Sequence, residues 1–291
     1  MKIGFIGLGS LGTPIAMNIL DSGHEFIVYN RTISKTKPLA EKGAVVSTDV
    51  AGLAKQCDII FTIVSDDAAL KAITVGEEGM IKHMKPGSIH ISMSTILPKT
   101  AEEIATLHQE NNQHYLASPV FGRPEAAAAR KLNFAISGPA AIRQKIEPIL
   151  KDAGAANIFH FGDSLTAANT VKLCGNFLIA GALEAIGESI NLANASGVNA
   201  QEMWAMFLQT IFNAPVYHNY SNIILNKKFE PAAFTAKLGL KDLKLVLQQG
   251  TSVNQSMPLA DLVKNNMEKL VNSGYADTDW SAVSTAVDKN T

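Results

Sequence analysis

Short apolar runs alternate with helical periodicity along the first half of the chain. Ile3–Ile6, Phe26–Tyr29 and Ile59–Val64 have the length and composition of strands, while Leu11–Asp21 and Ile33–Glu41 carry helical periodicity. Ile59–Val64 is nearly all apolar, which is typical of a strand covered on both faces. The alternation predicts an α/β domain built on a doubly wound parallel sheet. Its further strands and helices are expected at Ile89–Ser92, Pro98–Gln109, His114–Ala117, Asn133–Ile136, Pro139–Lys151 and Ile158–Phe161.

The strand patterns stop after about Gly162, and only helical periodicity follows. The pattern therefore predicts an all-α C-terminal domain, with the domains divided as 1–163 and 164–291. Its helices are expected at Thr166–Ala195, Ala200–Phe212, Phe234–Gln249 and Leu259–Asn272, with a short one near Trp280–Asp288.

Composition and charge narrow the class of protein. Of the 291 residues, 47% are hydrophobic and the net charge is −1, so neither nucleic acid nor an anionic membrane surface is an expected partner. The apolar stretch Val171–Ile190 is long enough to suggest a membrane span. Lys172, Asn176 and Glu184 interrupt it, which favours a buried helix and no membrane association.

Cysteine and histidine usage argues against disulfides and metal sites. The only two cysteines, Cys57 and Cys174, lie far apart without metal-ligand spacing, so we expect two buried thiols and a cytoplasmic, reducing location. The seven histidines show no H-x-H or H-E-x-x-H pairing, so no metal site is expected. His24, His83 and His108 are expected at the surface.

A glycine-rich hexapeptide connects the first strand to the first helix. Gly7-Leu8-Gly9-Ser10-Leu11-Gly12 matches G-x-G-x-x-G in the context that gives this motif its meaning. The first glycine permits a tight turn, the second lets a pyrophosphate approach the backbone, and the third lets the helix pack against the strand. The helix N-terminus then offers N–H groups to the phosphates. We therefore predict that the hexapeptide binds a dinucleotide in a Rossmann-type domain.

The end of the second strand indicates which dinucleotide is bound. NAD-preferring sites usually carry a carboxylate about 20 residues after the glycine turn, and here the neutral Asn30 lies 21 residues after Gly9. Arg31 can pair with a 2′-phosphate, and Thr32 and Lys35 can add contacts. This favours NADP(H) over NAD(H). Alternatively, Arg31 only caps a solvated turn.

Two polar residues on the long apolar helix are candidates for catalysis. Lys172 and Asn176 lie four residues apart, so they are expected on one helix face. A desolvated lysine beside a cationic nicotinamide would have a lowered pKa and could exchange a proton near neutral pH. A lysine that snorkels from the helix edge explains the pattern equally well.

Four ordered motifs that cover nearly the whole chain resemble those of the β-hydroxyacid dehydrogenases. The opening block Phe5–Gly9 with Gly12–Pro14 is similar to the start of that family. Met93–Pro98 resembles its S-T-x-x-P segment, and Lys172–Asn176 its K-x-x-x-N segment. Lys241–Leu245 resembles its late K-D-L block.

The resemblance implies roles for particular residues. Lys172 would be the general acid/base, and Asn176 would position both the substrate and the lysine. Ser94 and Thr95 would bind the substrate carboxylate or line the nicotinamide, while Lys241 would lie near cofactor and substrate. The turn that would pass over the adenosine half of the cofactor is Val64-Ser65-Asp66.

One block departs from the family pattern. Where the family usually reads D-A-P-V-S-G-G, this chain reads Ala117-Ser118-Pro119-Val120-Phe121-Gly122-Arg123. Phe121 replaces a serine that commonly contacts the substrate carboxylate, which should make the pocket more apolar. Val120 and the backbone at Gly122 are still expected to line the site. Arg123 either contacts an anion or faces solvent.

Together, these features predict an NADPH-dependent enzyme that reduces a small aldehyde acid or keto acid, or oxidises the matching β-hydroxy acid. The motifs are most similar to the glyoxylate/succinic semialdehyde reductase type. The alternatives are an imine reductase-like enzyme, against which Lys172 counts, and a non-catalytic cofactor-binding protein. The helix from Thr166 is apolar around most of its circumference, which predicts a homodimer or homotetramer.

Overall fold

The computed structural model describes residues 1–286 and divides the chain into two compact units, Met1–Lys172 and Leu173–Thr291. The first unit contains all nine strands of the described residues, and the second is helical. The architecture is therefore a parallel α/β unit followed by a helical one, as the hydrophobic pattern predicts. The domain division at residues 163 and 164 stays a prediction.

Six parallel strands form the main sheet of the first unit in the order β3-β2-β1-β4-β5-β6. This is the strand order of the Rossmann fold, which confirms the predicted sheet. Phe5 and Phe61 lie on neighbouring strands, are fully buried, and stack with ring centroids 6.0 Å apart. The strands are β1 (Lys2–Ile6), β2 (Glu25–Tyr29), β3 (Val45–Val46), β4 (Ile59–Thr62), β5 (Ile89–Ser92) and β6 (His114–Ala117).

Six helices accompany the main sheet, and three of them escape prediction from periodicity because they are short. Asp49 and Asp66 cap two of these short helices by accepting the backbone N–H groups of Gly52 and Ala69, at 2.6 and 2.8 Å. The helices are α1 (Gly12–Asp21), α2 (Lys37–Ala40, after a 3₁₀ turn at Ile33–Thr36), α3 (Val50–Gln56), α4 (Asp67–Thr74), α5 (Met80–His83) and α6 (Pro98–Glu110).

A second sheet of three strands follows β6, and it corrects one expectation. The strands in the segments Asn133–Ile136 and Ile158–Phe161 do not extend the main sheet, which ends at β6, because they pair with each other in the second sheet. β7 pairs antiparallel with β8, and β8 pairs parallel with β9. The elements here are β7 (Val120–Phe121), α7 (Pro124–Ala128), β8 (Leu132–Ile136), α8 (Ala140–Asp152) and β9 (Ala155–His160).

A buried chain of hydrogen bonds places His108 in the interior, so its expected surface position is wrong. His108 is 0% exposed because it lies on the buried face of α6. The Gln113 amide donates to the backbone carbonyls of Ile81 and Met84, so its oxygen accepts from His108 Nδ1 at 2.8 Å. His108 Nε2 therefore accepts from His90 Nδ1 at 2.9 Å, which makes both rings neutral. The Thr62 hydroxyl completes the chain by donating to His90 at 2.8 Å.

This histidine pair should make the fold sensitive to acid. Burial lowers the pKa of His108 from 6.5 to about 4 and that of His90 well below 6.5. Below pH 6.5 the histidines bind protons in the unfolded chain but stay neutral in the folded chain. Their contribution to the free energy of unfolding is therefore complete above pH 6.5 and is lost as the pH falls towards 4. His108 alone should account for about 3 kcal/mol, at 1.36 kcal/mol for each pKa unit.

The measurement is the free energy of unfolding in urea at several pH values between 7 and 4. A double variant, His90→Leu with His108→Leu, serves as the control because it removes both titrating rings. We expect the wild type to lose stability more steeply than the double variant as the pH falls. Parallel curves for the two proteins would contradict the assignment.

The second unit is helical throughout its described residues. Helix α9 (Ala167–Ala195) crosses the boundary between the units, and α10 ends at Gln209 rather than at the expected Phe212. The helix α11 was not predicted. The remaining elements are α10 (Ala200–Gln209), α11 (Pro215–Leu225), α12 (Ala236–Ser252), α13 (Pro258–Leu270), a π-helical turn at Val271–Tyr275 and a 3₁₀ helix at Trp280–Thr285; the predicted end at Asp288 lies outside the described residues.

Aromatic side chains form much of the core of the second unit. Trp204 packs against Phe207 and Tyr217, with ring centroids 5.7 and 6.3 Å away. Trp280 donates its indole N–H to the Tyr220 hydroxyl at 3.0 Å. Both tryptophans are therefore buried, and the indole N–H of Trp280 is satisfied by its hydrogen bond.

Helix α9 is long and apolar enough to cross a membrane by length and composition, and 44% of its most apolar window is buried within the structure. Core helices of globular proteins pass the same test. Cys174, on this helix, is exposed, so its expected burial is wrong because that helix position faces away from the core. Cys57 is buried as predicted, and burial raises the pKa of its thiol to about 12.

Candidate active site

The glycine-rich turn between β1 and α1 has the geometry that its sequence predicts. Gly7 has a φ of +104°, and a Cβ there would lie 2.1 Å from the Ile63 carbonyl oxygen. A Cβ on Gly12 would lie 2.1 Å from the Gly7 carbonyl oxygen. At Gly9, by contrast, a Cβ would meet nothing within 4 Å. Gly7 and Gly12 are therefore needed for packing, whereas Gly9 leaves the turn open to a ligand.

An open groove of about 640 Å³ runs along this turn. Helix α1 starts at its edge without a side-chain cap, so the N-terminal N–H groups and the positive end of the helix dipole are offered to a ligand. The open face and the helix end together fit the pyrophosphate of a dinucleotide. The groove is lined by Leu8, Gly9, Ser10, Thr13, Pro14, Ser34, Lys35, Pro38, Pro124 and Glu125.

Asn30 at the end of β2 holds the glycine-rich turn in place. Its Oδ1 accepts the backbone N–H of Leu8 at 2.8 Å, and its Nδ2 donates to the Thr32 carbonyl oxygen at 2.9 Å. The side chain therefore braces the loop while adding no negative charge. Arg31 and Lys35, which follow the strand end, are exposed, and Lys35 lines the groove.

Ser94, predicted to bind the substrate carboxylate or line the nicotinamide, is fully buried and supports a neighbouring turn. Its hydroxyl accepts the Val64 N–H at 2.9 Å. Ser65 is exposed and donates its hydroxyl to Asp66 at 2.8 Å. Thr95, next in the chain, is half-buried. The contact from Ser94 thus fixes the shape of the predicted cofactor turn.

In the first unit, the end of the Lys172 side chain lies over the face of the Phe121 ring. Lys172 Nζ lies over the Phe121 ring, 4.3 Å from its centroid, which is a cation–π contact. Gly122 has a φ of +146°, and a Cβ there would lie 2.4 Å from Leu132. The β7 strand that carries Val120 and Phe121 is therefore held close to β8.

Arg123 follows this strand and is partly exposed. Its side chain is 27% exposed, and its Nε lies 3.9 Å from a carboxylate oxygen of Glu125. Sequence alone left Arg123 between an anion contact and a solvated surface residue. The structure places it beside a carboxylate at the start of α7.

In the second unit, Asn176 and Lys241 share one carboxylate. Asn176 Nδ2 donates to Asp242 Oδ2 at 2.5 Å, and Lys241 Nζ lies 2.5 Å from Asp242 Oδ1. Asp242 is 2% exposed, so its contacts are made away from bulk water. Because the Asp242 carboxylate accepts a hydrogen bond from the amide nitrogen, the other polar atom of the Asn176 side chain is its oxygen, which is an acceptor.

Sequence reasoning missed Asp242 as a site residue. The sequence pattern could have indicated it, because Asp242 follows Lys241 directly and occupies the inward face of an amphipathic helix. The other positions of that face are apolar. A buried carboxylate of this kind needs partners, and the polar Asn176 supplies one. Among residues 1–286, no group of three His, Cys, Asp or Glu side chains is placed to hold a metal ion.

Comparison with known proteins matches both halves of the chain. Residues 2–162 match the NAD binding domain of 6-phosphogluconate dehydrogenase, and residues 166–287 match the NAD-binding region of NADP-dependent 3-hydroxyisobutyrate dehydrogenase. These matches agree with the glycine-rich turn, the strand order and the helical second unit. The chain therefore contains the parts of an NAD(P)-dependent enzyme.

Individual relatives extend over almost the whole chain. The uncharacterised oxidoreductase YfjR of Bacillus subtilis is 41% identical over 97% of this chain and 98% of its own length. Glyoxylate/succinic semialdehyde reductase 1 of Arabidopsis thaliana is 29% identical over 99% of this chain and 98% of its own. The structure of a 3-hydroxyisobutyrate dehydrogenase from Salmonella typhimurium aligns with a TM-score of 0.87 and 26% identity, covering 98% of this chain and 99% of that one.

Proposed function

Because the chain belongs to the β-hydroxyacid dehydrogenase family and is an NAD(P)-dependent oxidoreductase, we propose that it reduces the carbonyl of a small aldehyde acid or keto acid with NADPH. The observation that carries this proposal is the Lys172 ammonium above the Phe121 ring, in the same unit as the open glycine-rich turn. A proton donor and a dinucleotide site are the two parts that carbonyl reduction needs.

In the proposed mechanism, NADPH held at the glycine-rich turn would supply the hydride for the carbonyl carbon. Lys172 donates a proton from Nζ to the carbonyl oxygen, and the neutral amine takes it back in the reverse oxidation. Lys172 is half-buried, so its side chain is only partly exposed to bulk water. Asn176, with its amide fixed by Asp242, is proposed to orient the substrate hydroxyl or carbonyl, and Lys241 to contact the cofactor.

A substrate screen tests the proposal and separates it from its rivals. NADPH oxidation would be followed against a panel of aldehyde acids, keto acids and cyclic imines. We expect turnover with a small aldehyde acid or keto acid. Turnover of cyclic imines alone would indicate an imine reductase. NADPH binding with no turnover across the panel would indicate a non-catalytic cofactor-binding protein.

We propose that NADPH is preferred over NADH, because Asn30 is neutral, Arg31 next to it is exposed, and Lys35 lines the groove. Arg31→Ala should weaken NADPH binding by about 1.5–3 kcal/mol, the range for hydrogen bonds to charged groups, and leave NADH binding nearly unchanged. Dissociation constants from fluorescence titration would show this. Equal or tighter binding of NADH by the wild type would rule out the preference.

Self-association into a homodimer or homotetramer is also part of the proposal. In the single chain, Leu178 and Leu192 on helix α9 are 69% and 70% exposed, although that helix is apolar around most of its circumference. A second copy would remove these side chains from water. Light scattering at micromolar concentration should give a dimer or tetramer that Leu192→Glu weakens. A stable wild-type monomer would contradict this.

A cytoplasmic location is proposed from the thiols. One cysteine is buried and the other exposed, and both are unpaired, which suits a reducing compartment. Fractionation of cells that express the chain would test it, and recovery in the membrane or secreted fraction would refute it.

A further inference from the structure

The Phe121 ring borders the space around the proposed proton donor, Lys172. Lys172 Nζ is 4.3 Å from the ring centroid, so a carbonyl oxygen that accepts its proton, at roughly 2.9 Å, lies within about 7 Å of that centroid. Phe121 is half-buried on β7 and is held there by pairing with Asn133 of β8. The ring therefore forms a fixed boundary beside the reacting carbonyl.

The chemistry of that boundary distinguishes two kinds of carbonyl acid. An aromatic face carries partial negative charge and offers no hydrogen-bond donor. In a 2-oxo acid the carboxylate is bonded directly to the carbonyl carbon, so its oxygens lie roughly 3 Å from the carbonyl oxygen and share its surroundings. In a 4-oxo acid two methylene groups separate the carboxylate from the carbonyl, and these apolar groups can pack against a ring.

Resting on the proposed function, we propose that Phe121 is a specificity-determining residue that selects aldehyde acids with a distant carboxylate over 2-oxo acids. The ring disfavours a carboxylate attached to the reacting carbon, because that charge would lose water and gain no donor. The same ring stabilises the ammonium of Lys172, the form that donates a proton during reduction. One side chain thus acts on both the choice of substrate and the ammonium of the proton donor.

The selectivity is tested with succinic semialdehyde and glyoxylate as substrates of the enzyme with NADPH. The wild type should show a kcat/KM for succinic semialdehyde at least tenfold above that for glyoxylate. Phe121→Ser, which supplies a hydroxyl in place of the ring, should lower this ratio by about 10- to 100-fold, mainly through a lower KM for glyoxylate. Phe121→Tyr keeps the ring and should restore the preference for succinic semialdehyde.

Phe159→Ser is the matched control, because Phe159 is an exposed aromatic residue on β9 of the same small sheet. It should leave the substrate ratio at the wild-type value. If Phe121→Ser reduces both compounds with an unchanged ratio, the specificity role is overturned while carbonyl reduction stands. If the wild type oxidises NADPH with none of the carbonyl acids tested, the proposed function itself is wrong.

A second readout needs no turnover. Titration of the Lys172 side chain can be followed by NMR in protein labelled with ¹⁵N-lysine, with the signal assigned by Lys172→Arg. Loss of the ring in Phe121→Leu should move the titration midpoint to lower pH by about 0.4–1.5 units, which corresponds to a cation–π contact. An unchanged midpoint would overturn the contact between ring and ammonium, whatever the activity measurements show.

Discussion

Lys172→Ala is expected to lower the turnover number by about 10²–10⁴, the usual contribution of a general acid. The lysine is held over the Phe121 ring, half-buried, in the unit that carries the dinucleotide groove. Its removal takes away the proposed proton donor and leaves the glycine-rich turn untouched. Steady-state kinetics on the best substrate from the screen would measure the loss, and a titration would show an unchanged dissociation constant for NADPH.

Lys172→Arg provides the matched control for charge. A guanidinium keeps the positive charge and the cation–π contact, but it stays protonated and cannot cycle a proton. The arginine variant should therefore be as inactive as the alanine variant. Near-normal turnover in the alanine variant would show that another group donates the proton, and Lys241 would be the next residue to replace.

Gly12→Ala and Gly9→Ala should separate the two tasks of the glycine-rich turn. The new Cβ at Gly12 would lie 2.1 Å from the Gly7 oxygen and 2.8 Å from an Ile63 methyl group. The resulting strain should cost about 1–3 kcal/mol of stability or more. At Gly9 the new methyl group meets nothing within 4 Å, so stability should change by less than about 0.5 kcal/mol.

Cofactor binding should show the complementary pattern. The Gly9→Ala methyl group occupies the open face where a pyrophosphate would approach, so NADPH affinity should fall by about tenfold or more although the fold is intact. Urea denaturation without cofactor and fluorescence titration with it would give both quantities. If Gly9→Ala destabilised the protein as much as Gly12→Ala, or bound NADPH normally, this division of roles would be wrong.

Five of the six strands of the main sheet were predictable because each is marked by its local sequence, whereas β3, with two residues, was not predicted. Ile59–Thr62 is apolar at nearly every position, as a strand covered on both faces must be, and Gly7–Gly12 marks the turn that follows β1. The long helices were equally clear from periodicity. These features depend on residues close together in the sequence.

The second sheet was not predictable in the same way, because pairing depends on distant partners. The residues of Asn133–Ile136 do not determine whether this strand pairs with β6 or forms a new sheet with β7 and β9. Helices such as α5, with four residues, are too short for periodicity to reveal them.

Burial of polar residues was also beyond sequence reasoning. His108 enters the core only because Gln113 and His90 satisfy both of its ring nitrogens. Asp242 is tolerated in the interior of the second unit because Asn176 and Lys241 meet its two oxygens. Such partners become visible only when the chain is folded.

We propose that this chain moves a hydride from the nicotinamide to a substrate carbonyl, and isotope transfer measures that step itself. The enzyme would be incubated with succinic semialdehyde and NADPH carrying deuterium at C4 of the nicotinamide, in each of its two stereochemical forms. Mass spectrometry and NMR of the product alcohol should find one deuterium on the former carbonyl carbon from only one of the two forms. A product that contains no deuterium from either form would show that the carbonyl carbon does not receive its hydrogen from NADPH.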